Sequence, residues 1–195
     1  MKSQSPLNEI YKKGLYGDYE NKNEENLIKI QEVSNLSIFQ IVKYKNSKVS
    51  TNDLDVDGLK LSEKTNSVIS NGKTRVLWFG PNNWLLVSEN QNLFDKVNKN
   101  FKETDFAVTD LSKSRTIIEI EGKLTKEVLK KGCPFNFNIL KKNMCLNSIF
   151  NGVTLTIDLI EENPDRIRLF ALRSFGESLY HSITDASLEF GYKVS

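Results

Sequence analysis

The hydrophobic positions of this chain change period along its length, and the changes mark out its elements. They are clearest near the C-terminal end. Val153, Leu155, Ile157 and Leu159 alternate with Thr154, Thr156 and Asp158. Five turn residues follow, Glu161-Glu162-Asn163-Pro164-Asp165, and alternation resumes from Arg166 to Leu172 through Ile167, Leu169 and Ala171. Two runs of period two around a turn predict an antiparallel hairpin with one wet face. The spacing then lengthens to that of a helix. Phe175, Leu179, Ile183, Ala186 and Phe190 trace one stripe to Gly191, the natural stop, and Ser174 with Glu177 has the capping-box pattern at its start.

Upstream, Ser37 to Lys43 reads as a strand. Arg75–Phe79 and Trp84–Val87 flank Gly80-Pro81-Asn82-Asn83, where Pro sets the first corner of a turn and Asn tolerates the second. Apolar groups on both faces make this hairpin a central one. Ser88 and Gln91 suggest a second capping box, and Phe94, Val97 and Phe101 predict a helix over about 89–102. Residues 106–110 and 116–121 read as strands, the second with Ile118 and Ile120 on one face and Ile117 and Glu119 on the other. Gly122 precedes a short helix carrying Leu124, Val128 and Leu129, which ends at Lys130-Lys131-Gly132 with cations against the dipole. Residues 46–73 are polar and irregular, with one short helical turn near 52–59. Hairpins with helices returning between them predict an α+β fold of antiparallel sheets and packed helices. The expected organisation is an N-terminal arm, 1–26, and a single domain, 27–195. The arm is strongly polar from Glu20 to Asn26 but carries Leu7, Ile10, Tyr11, Leu15 and Tyr16. Two readings stand open: a segment lying across a neighbour's surface, or a disordered tail.

Composition narrows the function by exclusion. A net charge of +2 over 195 residues gives no strong field toward nucleic acid or anionic lipid. The cations are mostly Lys, and five scattered Arg do not suggest phosphate or base reading. Abundant Lys and Asn read as a compositional bias. The N-terminus lacks an apolar secretory stretch, and runs such as Trp84–Val87 are too short to span a bilayer. Cys133 and Cys145 have neither redox nor zinc spacing, which predicts two free thiols in a reducing cytoplasm.

Each candidate for chemistry has a plainer structural reading. The single histidine, His181, has Ser178 and Asp185 one turn to either side, but one regular helix cannot present a nucleophile to an oxyanion hole. Asn71-Gly72-Lys73-Thr74 resembles the tail of a phosphate loop, yet Ser67 stands where the first Gly belongs and a strand follows where a helix is required. Asp110-Leu111-Ser112 could hold a substrate amine, or close a turn on nearby backbone. Lys131-Gly132-Cys133-Pro134 places a thiol near two cations that also serve as helix C-terminal charges. No catalytic, cofactor-binding or metal-binding residue is assigned.

Taken in order, several motifs resemble one family. They are Ser5-Pro6-Leu7, Leu77 to Leu86 (LWFGPNNWLL), Val108-Thr109-Asp110-Leu111-Ser112, Ile118 to Gly122 (IEIEG), Val128 to Pro134 (VLKKGCP), Arg173 to Leu179 (RSFGESL) and Ala186 to Gly191 (ASLEFG). The sequence resembles the gamma subunit of heterotetrameric sarcosine oxidase, whose fold is similar to the folate-binding domain of the glycine-cleavage aminomethyltransferase. The resemblance implies a non-catalytic, cytoplasmic subunit that docks directly on the alpha subunit, with beta and delta completing the complex, and with no nucleic-acid or membrane partner. It implies that FAD, FMN, NAD and tetrahydrofolate sit on other subunits. The holoenzyme would demethylate sarcosine oxidatively to glycine, pass the one-carbon unit to tetrahydrofolate and make hydrogen peroxide. The alternative is a free-standing, folate-binding aminomethyltransferase-like protein. Against that alternative, the paired-glycine, paired-aspartate turn of aminomethyltransferases is replaced by Phe150 to Asp158 (FNGVTLTID), with Asp158 on the polar strand face. Asn136 stands where the gamma family usually has Asp, and Asn143 where it usually has Gly; Asn tolerates a left-handed turn. Trp78, Trp84, Tyr11 and Tyr16 are candidate anchors for a partner, although the apolar hairpin favours the core for both tryptophans.

Overall fold

A computed structural model describes residues 5–20, 22–51 and 54–195. In chain order the strands are β1 (Gly14–Tyr16), β2 (Ile28–Glu32), β3 (Ser37–Lys43), β4 (Asp55–Val56), β5 (Leu59–Lys60), β6 (Val68–Ser70), β7 (Thr74–Gly80), β8 (Asn83–Ser88), β9 (Phe106–Asp110), β10 (Arg115–Gly122), β11 (Met144–Phe150), β12 (Val153–Glu161), β13 (Asp165–Leu172) and β14 (Tyr192–Val194). The helices are α1 (Leu93–Asn100), α2 (Thr125–Lys130) and α3 (Gly176–Ser187). The fold is α+β and mostly antiparallel. The chain does not divide at residue 26: it forms two compact units, one of 1–34, 114–142 and 146–195, the other of 35–113 and 143–145.

The first unit centres on a seven-stranded sheet of order β1-β14-β2-β10-β13-β12-β11. One face is apolar. Ile118, Ile120, Ile157, Leu159, Ile167 and Leu169 are all fully buried there, and α2 and α3 pack on β10 and β13. Each such side chain contributes about 1.5–3 kcal/mol through burial. The stripe of α3 faces inward at Leu179 and Ile183, while Phe175 is exposed. Gly191 ends that region with φ 69°, and a Cβ there would lie 2.5 Å from the Asp18 carbonyl oxygen. Gly132 is not a left-handed cap. It is glycine because a Cβ would lie 2.9 Å from the Phe150 ring.

The expected arm belongs to this unit; Met1–Gln4 and Asn21 lie outside the described residues. β1 pairs antiparallel with β14, which the sequence reading left out, and β14 pairs parallel with β2. Leu7 is fully buried, and Tyr16 stacks on Tyr192 at 5.2 Å between ring centroids. The strap therefore satisfies its own backbone and apolar groups on this chain rather than trailing as a tail.

The second unit has a five-stranded sheet of order β6-β7-β8-β3-β9. The β7–β8 hairpin is central, as its two apolar faces imply, and Trp84 is fully buried with its indole N–H donating to the Ser62 carbonyl at 2.7 Å. Trp78 is only half-buried. Residues 54–60 are not helical. β4 and β5 form a small hairpin turned by Asp57 and Gly58, both with positive φ; Asn52 and Asp53 lie outside the described residues.

Neither capping box forms. The Ser88 hydroxyl faces Thr74 Oγ1 at 2.7 Å and accepts from the Asn90 amide, so α1 begins only at Leu93, four residues later than expected. Ser174 lies in a 3-10 turn, Arg173–Phe175, that leads directly from β13 into α3. The abundant Asn also has a structural role. Among the described residues, six of the seven non-glycine residues with positive φ are Asn, which adopts this conformation at low cost.

Candidate functional site

The hairpin β12–β13 departs most from its sequence reading. Thr154 is exposed, but Thr156 and Asp158, on the same face, are 6% and 0% exposed. The face expected to be wet is buried, and the strand register explains how it tolerates that. Asp158 pairs with Arg168, Arg168 with Glu119, and Glu119 with Gln31, so one polar residue from each of four adjacent strands falls on a single row. Arg168 Nε donates to Glu119 Oε2 at 2.7 Å and Gln31 Nε2 donates to Glu119 Oε1 at 2.7 Å. Both oxygens of the buried Glu119 carboxylate are thus engaged. Asp158 is partnered as well. Burying a charge is costly unless it is paired and hydrogen-bonded, and this row meets that requirement. Neither carboxylate of this row is open to solvent, Glu119 being 3% and Asp158 0% exposed.

The other candidates lie in local turns, in the core or on the exposed face of α3. Asp110 Oδ1 accepts from the Ser112 amide at 2.9 Å and from its hydroxyl at 2.6 Å, while Ser112 Oγ accepts from the Ile38 amide at 2.9 Å. This turn ties β9 to β3. The Cys133 thiol is buried, donates to the Ile149 carbonyl at 2.9 Å, and has its pKa raised by burial, the reverse of an activated nucleophile. Cys145 is buried, and its thiol lies 3.2 Å from the Trp78 carbonyl. Both cysteines are free thiols. Ser178, His181 and Asp185 are exposed on α3. Asn71 closes the β6–β7 turn by accepting from the Lys73 and Thr74 amides at 3.1 and 2.8 Å. Asn136 caps a 3-10 turn by accepting from the Asn138 amide, as an Asp would, and Asn143 has φ 60°, the conformation a Gly supplies. Among the described residues, no cluster of His, Cys, Asp and Glu could hold a metal.

Apolar groups remain at the surface of the first unit. Leu172 and Phe175, each 47% exposed, follow one another from the end of β13 into the turn before α3. Leu172 lines an open depression with Pro6, Ser114, Arg173, Ser174 and Glu177. Tyr11 and Tyr16 are instead absorbed into a tyrosine cluster with Tyr180 and Tyr192. Burial there pushes the Tyr180 phenol up to about 12. Four tyrosines spread over some 180 positions gave no local signal; only the β1–β14–β2 pairing assembles them.

The profile of the sarcosine oxidase gamma subunit family matches residues 52–189. The chain belongs to that family. The gamma subunit of sarcosine oxidase from Corynebacterium sp. strain U-96 is 29% identical over 118 residues, which span 60% of this chain and 58% of that protein. The heterotetrameric sarcosine oxidase of Corynebacterium sp. U-96, solved with pyrrole 2-carboxylate, contains a chain of the same fold. It has a TM-score of 0.81 and 23% identity, covering 96% of this chain and 95% of that one. The aminomethyltransferase T of the Bartonella henselae glycine cleavage system matches with a TM-score of 0.68 and 13% identity, covering 99% of this chain and 59% of that one. Within the matched region, the IEIEG segment of this chain supplies Glu119 to the buried row, and its RSFGESL segment carries the exposed Phe175. No helix among the described residues is long and apolar enough to cross a membrane.

Proposed function

We propose that this gamma subunit acts by assembly, docking on the alpha subunit of a sarcosine oxidase in the cytoplasm while the chemistry proceeds on other chains. In this reading the holoenzyme, completed by beta and delta subunits, converts sarcosine to glycine, passes the one-carbon unit to tetrahydrofolate and reduces oxygen to peroxide. FAD, FMN, NAD and the folate are carried by those other chains. The observation that supports it is the buried row. On a fold shared with an aminomethyltransferase, Glu119 and Asp158 are enclosed and engaged by their neighbours. The exposed Leu172 and Phe175 fit an anchor role, since apolar and aromatic residues are enriched in the buried centres of interfaces. Binding to a partner would stabilise this chain by mass action.

Co-expression with the alpha subunit, followed by size-exclusion chromatography, tests the reading. The expected result is stoichiometric co-elution, with neither flavin absorbance nor sarcosine oxidation in the gamma subunit purified alone. A monodisperse monomer that ignores the alpha subunit would overturn it.

A further inference from the structure

The sequence contains two Asn-Gly pairs, Asn71-Gly72 and Asn151-Gly152, and the fold treats them in opposite ways. Asn71 is held on every polar atom of its amide. Its Oδ1 accepts from the Lys73 and Thr74 amides, its Nδ2 donates to the Asp57 carbonyl at 2.8 Å, and the Gly72 amide donates to Ser70 Oγ at 3.1 Å. Asn151 is exposed at the tip of the β11–β12 connection with φ 46°, and the exposed Gly152 follows with φ 86°. Its backbone N–H donates to the Gly132 carbonyl at 3.1 Å. Among the described residues its side-chain amide makes no hydrogen bond, nor does the nitrogen of Gly152. A Cβ at Gly152 would meet nothing within 4 Å, so no neighbouring group crowds that side of the turn.

We propose that Asn151 is a site of spontaneous deamidation and that Asn71 is protected. The Gly152 nitrogen gives up its proton to solvent base and attacks Asn151 Cγ. The new N–C bond closes a cyclic imide, the bond from Cγ to Nδ2 breaks, and the amide nitrogen leaves as ammonia with a proton from solvent. Water then opens the imide at one of its two carbonyls, giving aspartate or isoaspartate, and no oxidant or reductant is needed. The absence of a side chain on the following glycine permits the attack, and two exposed turn residues give the backbone room to move into line. At Asn71 the same attack requires several hydrogen bonds to open first, which slows it at least about tenfold.

The products differ in consequence. Aspartate keeps the backbone, tolerates the left-handed conformation and lowers the net charge of +2 by one. It also sets a carboxylate in the depression that Asn151 shares with Asp185 and His181. Isoaspartate inserts a methylene into the main chain, which a two-residue connection cannot absorb without shifting the register of β11 against β12.

The test is incubation of the complete chain, folded, at mildly alkaline pH, with peptide mapping by mass spectrometry and labelling by an isoaspartyl methyltransferase. A parallel sample is held in denaturant. Asn151 is expected to convert in the folded chain at least about tenfold faster than Asn71, and the two rates are expected to converge in denaturant. Equal rates in the folded chain, faster conversion at Asn71, or an Asn151 that stays intact while it converts in denaturant would each overturn the proposal. The variant Asn151→Asp should leave the mapped Asn71 peptide unchanged, release no ammonia at position 151 and accumulate isoaspartate there more slowly than the unmodified chain.

Discussion

The hairpins β7–β8 and β12–β13 began with opposite patterns and reached similar burial by different routes. In β7–β8 apolar residues on both faces are buried; the Trp84 indole N–H is met by the Ser62 carbonyl, the Thr74 and Ser88 hydroxyls meet each other, and Arg75 is partnered. In β12–β13 one face alternates to polar residues, yet Asp158 is 0% and Thr156 6% exposed. Burial of the first hairpin follows mainly from transfer of apolar surface, with its buried polar groups confined to the open end. Burial of the second depends on cross-strand register, because the alignment of Gln31, Glu119 and Arg168 engages both oxygens of the Glu119 carboxylate. Alternation thus reports which residues share a face, not whether water reaches it.

The largest effect should come from breaking the polar row. Arg168→Met leaves Glu119 charged, buried and half-paired, and should cost about 3–5 kcal/mol in denaturant unfolding. Adding Glu119→Leu should return most of that loss, since removing both charges is far cheaper than orphaning one. In the apolar hairpin, Trp84→Phe keeps the aromatic bulk but drops the N–H that Ser62 accepts. The expected cost is smaller, about 1–3 kcal/mol, read from the same denaturation curves.

Ser112→Ala removes the acceptor for the Ile38 amide at the β9–β3 turn and should cost about 1 kcal/mol. If that turn held a substrate instead, the variant would lose activity in the assembled oxidase at unchanged stability. The smallest effect is a change in pH dependence. The hydroxyl of Thr74, and after it Lys96, hold the Asp57 carboxyl below the usual carboxylate range. Its contribution is therefore present above the unfolded value of about 3.9 and is lost as pH falls through the lower folded value. Asp57→Asn should flatten the acid limb of denaturant midpoints measured between about pH 5 and pH 2, with little change near neutrality.

Much of the sheet framework was legible because it rests on local signals. The strand over Ser37–Lys43 and the two hairpins were carried by period and by Pro and Asn at the turns. What was missed depends on distant partners. β14 is three residues long and exists only because β1 and β2 flank it. The capping boxes failed because Ser88 is drawn to Thr74 and Ser174 is already in a 3-10 turn. The polar row was hidden for the same reason, since Glu119 and Asp158 lie 39 positions apart and meet on one row only through Arg168 between them. The Asp110-Leu111-Ser112 turn was legible, because such turns are closed by near neighbours.

In the assembly role proposed above, this chain supplies shape and no bond-making group. Calorimetric titration of the isolated chain with tetrahydrofolate tests it most directly. The account predicts no saturable heat. Binding at roughly micromolar affinity or tighter, abolished by Asp158→Asn in a chain that still folds, would contradict it.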